Sequence, residues 1–98
     1  MLLERRTVSR KTPNDGKLEI SRETADAVAA VGPRLRVEWQ GQEASASVVM
    51  MACTCAKGAG QHEHVFLESR LLRSLEAGSE VDLTLHRGAC RLSVTPAT

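Results

Sequence analysis

The sequence has few aromatic residues, almost no net charge and no convincing disulfide framework, and these three features limit what kind of protein it can be. Among its 98 residues there is one Trp, one Phe and no Tyr, so the core must be built from Val, Leu, Ala and Met. The 13 basic and 12 acidic residues give a net charge of +1, and so small a net charge does not by itself indicate a nucleic-acid-binding protein. Three cysteines, two of them in a Cys-x-Cys pair, make a poor disulfide framework.

Long hydrophobic segments are also missing. No run approaches the ~20 apolar residues that a membrane span needs, and the opening "MLLERRTVSR" has no apolar signal-peptide segment. We therefore expect a cytoplasmic protein without a membrane partner, in a reducing compartment where thiolates can bind metal. The length predicts a single domain, 1–98, for which a metal ion or a second subunit would add stability.

We predict an internal repeat, with copies at 5–49 and 50–96. An offset of 47 residues aligns the apolar positions of the first strand and helix, and an offset of 46 aligns those of the strands that follow. Identities are few, but the aligned positions share a physical role. Two unrelated β-α-β segments are the alternative. The aligned pairs include Leu18/Val65, Ile20/Leu67, Ala25/Leu72, Val28/Leu75, Gly32/Gly78, Leu35/Val81, Val37/Leu83 and Trp39/Leu85.

Each copy predicts the element order β-β-α-β-β. Alternating apolar residues predict strands at "KLEIS" and "HVFLE", and Ser21 and Ser69 can each cap the helix that follows. Glycines at the aligned positions 32 and 78 end the helices, and "QGQ" and "HRG" predict hairpin turns. The first strands are "ERRTVSRK", joined to the next strand by the turn "TPNDG", and "SVVMMACTC".

The stretch "CTCAKGAGQHEH", residues 53–64, places two cysteines and two histidines at the first turn of the second copy. Residues i and i+2 of a strand share a face, so Cys53 and Cys55 face one way, as do His62 and His64. Closing the loop 56–61 puts Cys55 opposite His62 and Cys53 opposite His64, at a Cβ separation of roughly 4.5–5.5 Å. We predict that these four side chains bind one metal ion.

Two thiolates and two imidazoles are a ligand set typical of structural zinc. Four protein ligands leave no position for water or substrate, and the sequence offers neither a nucleophile set with free members nor a phosphate loop. We therefore expect a protein that is not an enzyme and has no small-molecule substrate. Two alternatives are a hairpin whose cysteines are buried as small apolar residues and a zinc ion released on oxidation.

The segment "RTVSRKTPNDGKLEISRETADAVAAVGPRLRVEWQGQ" resembles the AbrB/MazE-like (SpoVT-AbrB) swapped-hairpin domain of bacterial transcription regulators and antitoxins. The segment "VFLESRLLRSLEAGSEVDLTLHRGACRLSV" resembles the latter part of the same domain. In that family two such units interleave into one barrel. The resemblance implies a mostly-β fold, in which both copies of one chain form a pseudo-twofold, cradle-loop-type β barrel with two short helices.

The resemblance also implies DNA binding by basic residues around the first turn and first strand. Residues 1–22 carry a local charge of +3, and the candidate phosphate contacts are Arg5, Arg6, Arg10, Lys11, Lys17 and Arg22. We predict a small transcription regulator or antitoxin-like protein that binds double-stranded DNA, with a homodimer supplying a second basic hairpin.

Two other interpretations of these features stay open. The basic residues can instead protect an edge strand from aggregation. The protein can also be a zinc-stabilised protein–protein interaction module without DNA binding.

Overall fold

The computed structural model describes residues 1–53 and 62–97, with the backbone alone for residues 52, 53 and 62. These residues form strands and two short α-helices, which confirms the prediction of a mostly-β fold. The strands are β1 Leu2–Thr7, β2 Lys17–Ile20, β3 Arg36–Trp39, β4 Gln42–Ser45, β5 Ser47–Cys53, β6 His62–Glu68, β7 Glu80–His86 and β8 Arg91–Pro96. The helices are α1 Lys11–Asp15 and α2 Arg22–Ala29, with 3₁₀ helices at Arg70–Ser74 and Arg87–Ala89.

The strands form two sheets. One has the order β1-β7-β8-β3-β4 and is antiparallel except where β3 runs parallel to β8. The other has the order β2-β6-β5 and is antiparallel throughout. Both sheets combine strands from the two halves of the sequence, but β1 pairs with the opposite half whereas β5 pairs with its own. The closed barrel and the internal repeat therefore remain predictions.

The core lies between these elements and is built from aliphatic residues. Strand β7 illustrates the alternation, because Val81, Leu83 and Leu85 are buried while the residues between them are partly exposed. Apolar residues aligned by the two sequence offsets are buried in both halves. They include Leu18, Ile20, Ala25, Val28, Leu35 and Val37 in the first half, and Val65, Leu67, Leu72, Leu75, Val81 and Leu83 in the second.

The start of α2 is fixed by polar contacts. Ser21 caps the helix as predicted, with its hydroxyl oxygen accepting the Thr24 N–H at 3.1 Å. Glu4 Oε2 accepts the backbone N–H of Ser21 at 2.9 Å and its hydroxyl at 3.0 Å, which ties β1 to α2. Burial raises the pKa of Glu4, but the hydrogen bonds from Thr24 and Ser21, together with Arg6, lower it below its ordinary value.

The turn predicted at "TPNDG" is instead the short helix α1. Pro13 lies in its first turn, where no backbone N–H is required. Thr12 is buried, and its hydroxyl donates to the Lys17 carbonyl at 2.8 Å. Gly16 ends the helix in the left-handed conformation, with φ 70° and its N–H donating to the Thr12 carbonyl at 2.8 Å. The same residues that favour a tight turn thus close a single helical turn.

The helix predicted after Ser69 is a 3₁₀ helix, Arg70–Ser74, which the Ser69 side chain does not cap. The Ser69 N–H donates to the Gly16 carbonyl at 3.0 Å, which joins this helix to the end of α1. Beyond the helix, the Gly78 N–H donates to the Val8 carbonyl at 2.8 Å. The helix ends before Leu75, whose backbone is extended, and the chain on both sides of the helix is hydrogen-bonded to the first half of the protein.

We expect Gly16→Ala to destabilise the protein more than Gly41→Ala. Both glycines have a positive φ, 70° and 79°, so both substitutions carry the cost of a left-handed alanine. A Cβ at Gly16 would lie 2.9 Å from the Ser69 carbonyl oxygen, whereas at Gly41 no atom of the described residues lies within 4 Å. Urea unfolding should show an additional loss of about 1–3 kcal/mol for Gly16→Ala. Equal losses would mean that the packing of α1 on the 3₁₀ helix does not depend on this close approach.

Candidate functional sites

The cysteine and histidine stretch lies at the end of the β5–β6 hairpin. In this antiparallel pair Cys53 is the register partner of His62, and Met51 is the partner of His64. The prediction that Cys53 lies opposite His64 is therefore wrong by a shift of two residues. A shift of two leaves every residue on the same face of its strand, so the alternation of apolar residues in the sequence does not distinguish the two registers.

The four predicted metal ligands are described to different extents. Cys55 lies outside the described residues, and for Cys53 and His62 only the backbone is described. Among the side chains that the structure describes, no group of three or more His, Cys, Asp or Glu residues is placed to hold a metal ion. The register still puts one predicted cysteine opposite one predicted histidine, and direct antiparallel partners are near enough to bind one ion.

The side chain of His64 is described, and it contacts a carboxylate. His64 Nδ1 lies 2.7 Å from Oε2 of Glu19, and both side chains are half-buried. The imidazole lies beside Phe66, with the ring centroids 6.4 Å apart and the planes tilted by 45°. Glu19 is absent from the predicted site because its approach to His64 depends on the pairing of β2 with β6, a contact between residues 45 positions apart.

Three of the six predicted DNA-binding residues form ion pairs within the protein. The hydrogen bond from Arg5 lowers the pKa of Asp82 below its ordinary value and raises the pKa of the guanidinium. Strand β1 lies at the edge of its sheet. The charged residues Arg5 and Arg6 on this strand are therefore also consistent with an edge that is protected by charge against pairing with another chain. The pairs are Arg5–Asp82 at 2.9 Å, Arg6–Glu4 at 3.3 Å and Lys17–Glu68 at 3.3 Å.

The other three predicted residues, Arg10, Lys11 and Arg22, are exposed, and none of them forms an ion pair with any residue that the structure describes. Lys11 lies over an aromatic ring, with its Nζ 5.0 Å from the centroid of Phe66. This contact holds the lysine of α1 against strand β6. Arg22 is the first residue of α2.

The fold brings further basic residues to α1. Arg70 and Arg73 are exposed on the 3₁₀ helix and form no ion pair within the described part of the chain. The Arg73 side chain lies against Gly16, since a Cβ there would be 3.5 Å from the arginine Cγ. We call Arg10, Lys11, Arg70 and Arg73 the basic surface. Its members come from both halves of the sequence, so the local charge of residues 1–22 reveals only part of it.

Strand β5 presents exposed apolar side chains. Met50 and Met51 are 51% and 39% exposed, and the strand sequence Ser47–Cys53 contains no charged residue. Strand β5 is at the edge of its sheet, with β6 as its one neighbour among the described strands. A long uncharged edge is a ready template for pairing with another strand. The exposed methionines therefore mark a candidate protein-binding surface, whereas the composition predicts that methionine contributes to the core.

Comparison with known proteins found no family model, no curated protein and no solved structure that matches this chain.

Proposed function

We propose that the protein is a small DNA-binding regulator whose contacts to the phosphate backbone come from the basic surface. The proposal rests on one observation, the packing of α1 against the 3₁₀ helix Arg70–Ser74. The Ser69–Gly16 hydrogen bond and the Arg73 side chain on Gly16 place basic residues of both halves on neighbouring helices. The role proposed is binding rather than catalysis.

The charge on this surface supports phosphate binding better than that on strand β1. Arg5 and Arg6 are already neutralised by carboxylates, and moving them to a phosphate would break those pairs. Members of the basic surface carry no such pair within the residues described. Exposed arginine and lysine side chains can exchange counterions for phosphates, the main source of affinity for duplex DNA. Arg22, which also forms no ion pair with the residues described, then extends the proposed contact region, whereas Lys17 is paired with Glu68 in the same way as Arg5 and Arg6 are paired.

Duplex binding should be strongly salt-dependent and should require the basic surface. We expect the affinity for a labelled duplex, followed by fluorescence anisotropy, to fall steeply between about 50 and 200 mM salt. Arg10→Ala, Lys11→Ala and Arg73→Ala should each lower the slope of log K against log salt by about 1. Arg36→Ala is the matched control, because Arg36 is an exposed arginine of strand β3 that is already paired with Glu43 at 3.2 Å and does not belong to the basic surface. No binding at low salt, or equal effects of all four variants, would contradict the proposal.

We further propose that Cys53, Cys55, His62 and His64 bind a structural zinc ion that closes the β5–β6 hairpin. The proposal draws on the ligand chemistry of the sequence, on the Cys53–His62 register and on the carboxylate that accompanies His64. When bound, zinc would link the ends of both strands and add its binding energy to the stability of the fold.

The zinc proposal predicts about one zinc ion per chain in elemental analysis of protein purified without chelators. Cys53→Ser should lose the metal and lower the melting temperature by several degrees, roughly 4–8 °C for each kcal/mol lost. Cys90→Ser is the control, because Cys90 lies in a left-handed turn after the 3₁₀ helix Arg87–Ala89 and outside the proposed set. Zinc well below one equivalent in the wild-type protein would rule out the site.

A second candidate function is a protein–protein interaction module without DNA binding, and the exposed edge of β5 favours it. The partner that we propose is a second copy of this chain. Antiparallel pairing of β5 with its symmetry mate, centred on Met50, would place uncharged residues opposite each other along the whole strand. The methionines would then be covered by the equivalent residues of the other subunit.

This candidate predicts a dimer in sedimentation or light-scattering measurements, and Met50→Lys should convert it to a monomer because two lysines would meet at the two-fold axis. Leu2→Lys is the control: Leu2 is 59% exposed on the edge strand β1, which already carries charged residues. A monomeric wild-type protein, or equal effects of the two substitutions, would contradict it. Dimerisation together with salt-sensitive DNA binding would favour the regulator, with one basic surface on each subunit.

A further inference from the structure

We infer that Glu19 is a positioning residue for a metal-binding histidine, namely His64. The inference rests on the zinc site proposed above and adds a residue from outside the cysteine and histidine stretch. The observation that carries it is the 2.7 Å contact between His64 Nδ1 and the Glu19 carboxylate.

The contact follows from the register of β2 on β6. Glu19 is the direct partner of Phe66, and His64 lies two residues from Phe66 on the same strand. Residues i and i+2 of a strand share a face, so Glu19 and His64 are diagonal neighbours on one face of the sheet. Phe66 lies beside the His64 ring on that face and limits the positions that the imidazole can take. The approach is therefore built into the sheet and does not depend on a loop.

The chemistry of the pair determines which imidazole nitrogen would bind metal. A carboxylate accepts hydrogen bonds, so the proton of a neutral His64 is placed on Nδ1, which donates to Glu19. Nε2 is then the nitrogen that would coordinate zinc. Metal-binding histidines commonly donate their other N–H to a carboxylate in this way, which fixes the tautomer and makes the ligand more basic.

The pair would also connect the two halves of the sequence. Glu19 belongs to β2, in the first half, whereas the four predicted ligands all belong to the second half. A metal ion held by His64 would therefore favour the β2–β6 pairing as well as the β5–β6 hairpin.

The test is zinc affinity, measured by competition with a chromophoric chelator. We expect Glu19→Ala to weaken zinc binding by about 10–100-fold and Glu19→Gln to weaken it less, because the amide oxygen still accepts a hydrogen bond. Glu63→Ala is the matched control, since Glu63 is an exposed carboxylate directly before His64 in the same strand. Equal affinities in wild type and Glu19→Ala would overturn the inference while leaving the zinc site intact.

A second measurement follows the histidine without metal. Nitrogen chemical shifts of His64 at a pH where the ring is neutral should report the proton on Nδ1 in the wild-type protein and a shift towards the Nε2 tautomer in Glu19→Ala. A wild-type ring protonated on Nε2 would overturn the inference. If the wild-type protein binds no zinc, the proposed site fails and the positioning role with it.

Discussion

The antiparallel pairing of β2 with β6 is the contact on which the rest of the structure depends. Leu18 pairs with Leu67, Ile20 pairs with Val65, and all four side chains are buried. Burying side chains of this size stabilises the fold by about 1.5–3 kcal/mol each. The offset of 47 residues relates Leu18 to Val65 and Ile20 to Leu67, so exchanging the two halves reproduces the same pairs. A set of pairs that is unchanged when the two halves are exchanged is what a pseudo-twofold arrangement of two copies would show, and it supports the proposed duplication at this point of the fold.

The position of the basic surface follows from this pairing. Lys17 and Glu68 are partners at one end of the ladder, so the chain enters β2 from α1 at the point where it leaves β6 for the 3₁₀ helix. The hydrogen bond from the Ser69 N–H to the Gly16 carbonyl extends the β2–β6 ladder by one residue on each strand, beyond the Lys17–Glu68 pair. At Gly16 a side chain would meet the Ser69 carbonyl oxygen, so only glycine permits the approach without adjustment. The basic residues of both halves become neighbours because two strands pair, without any direct attraction between them.

Local features of the fold are predictable from the sequence, whereas the pairings between distant segments are not. Strand β6 and the Ser21 cap depend on neighbouring residues, and the turn at Gly41 depends on two residues with positive φ. In α1 the Thr12 side chain is buried, and that burial is set by the whole fold, so the local sequence does not distinguish a helical turn from a tight turn. The β5–β6 register also cannot be read from the sequence, because shifting one strand by two residues leaves the same residues on each face of the sheet. The sequence does not reveal Glu19 or Arg73 either, because each contacts a residue more than 40 positions away.

The two proposed sites share the β2–β6 ladder but do not depend on each other. The Lys17–Glu68 end of the ladder leads to the basic surface, and the Ile20–Val65 end leads to His64. Apolar burial and the Gly16–Ser69 hydrogen bond already fix the first end without any contribution from the hairpin. A metal ion at the second end would therefore add to the global stability of the protein without being needed to assemble the basic surface. Stability and the proposed DNA contact would be separable in this arrangement, because opening one end of a ladder costs less than separating its buried centre.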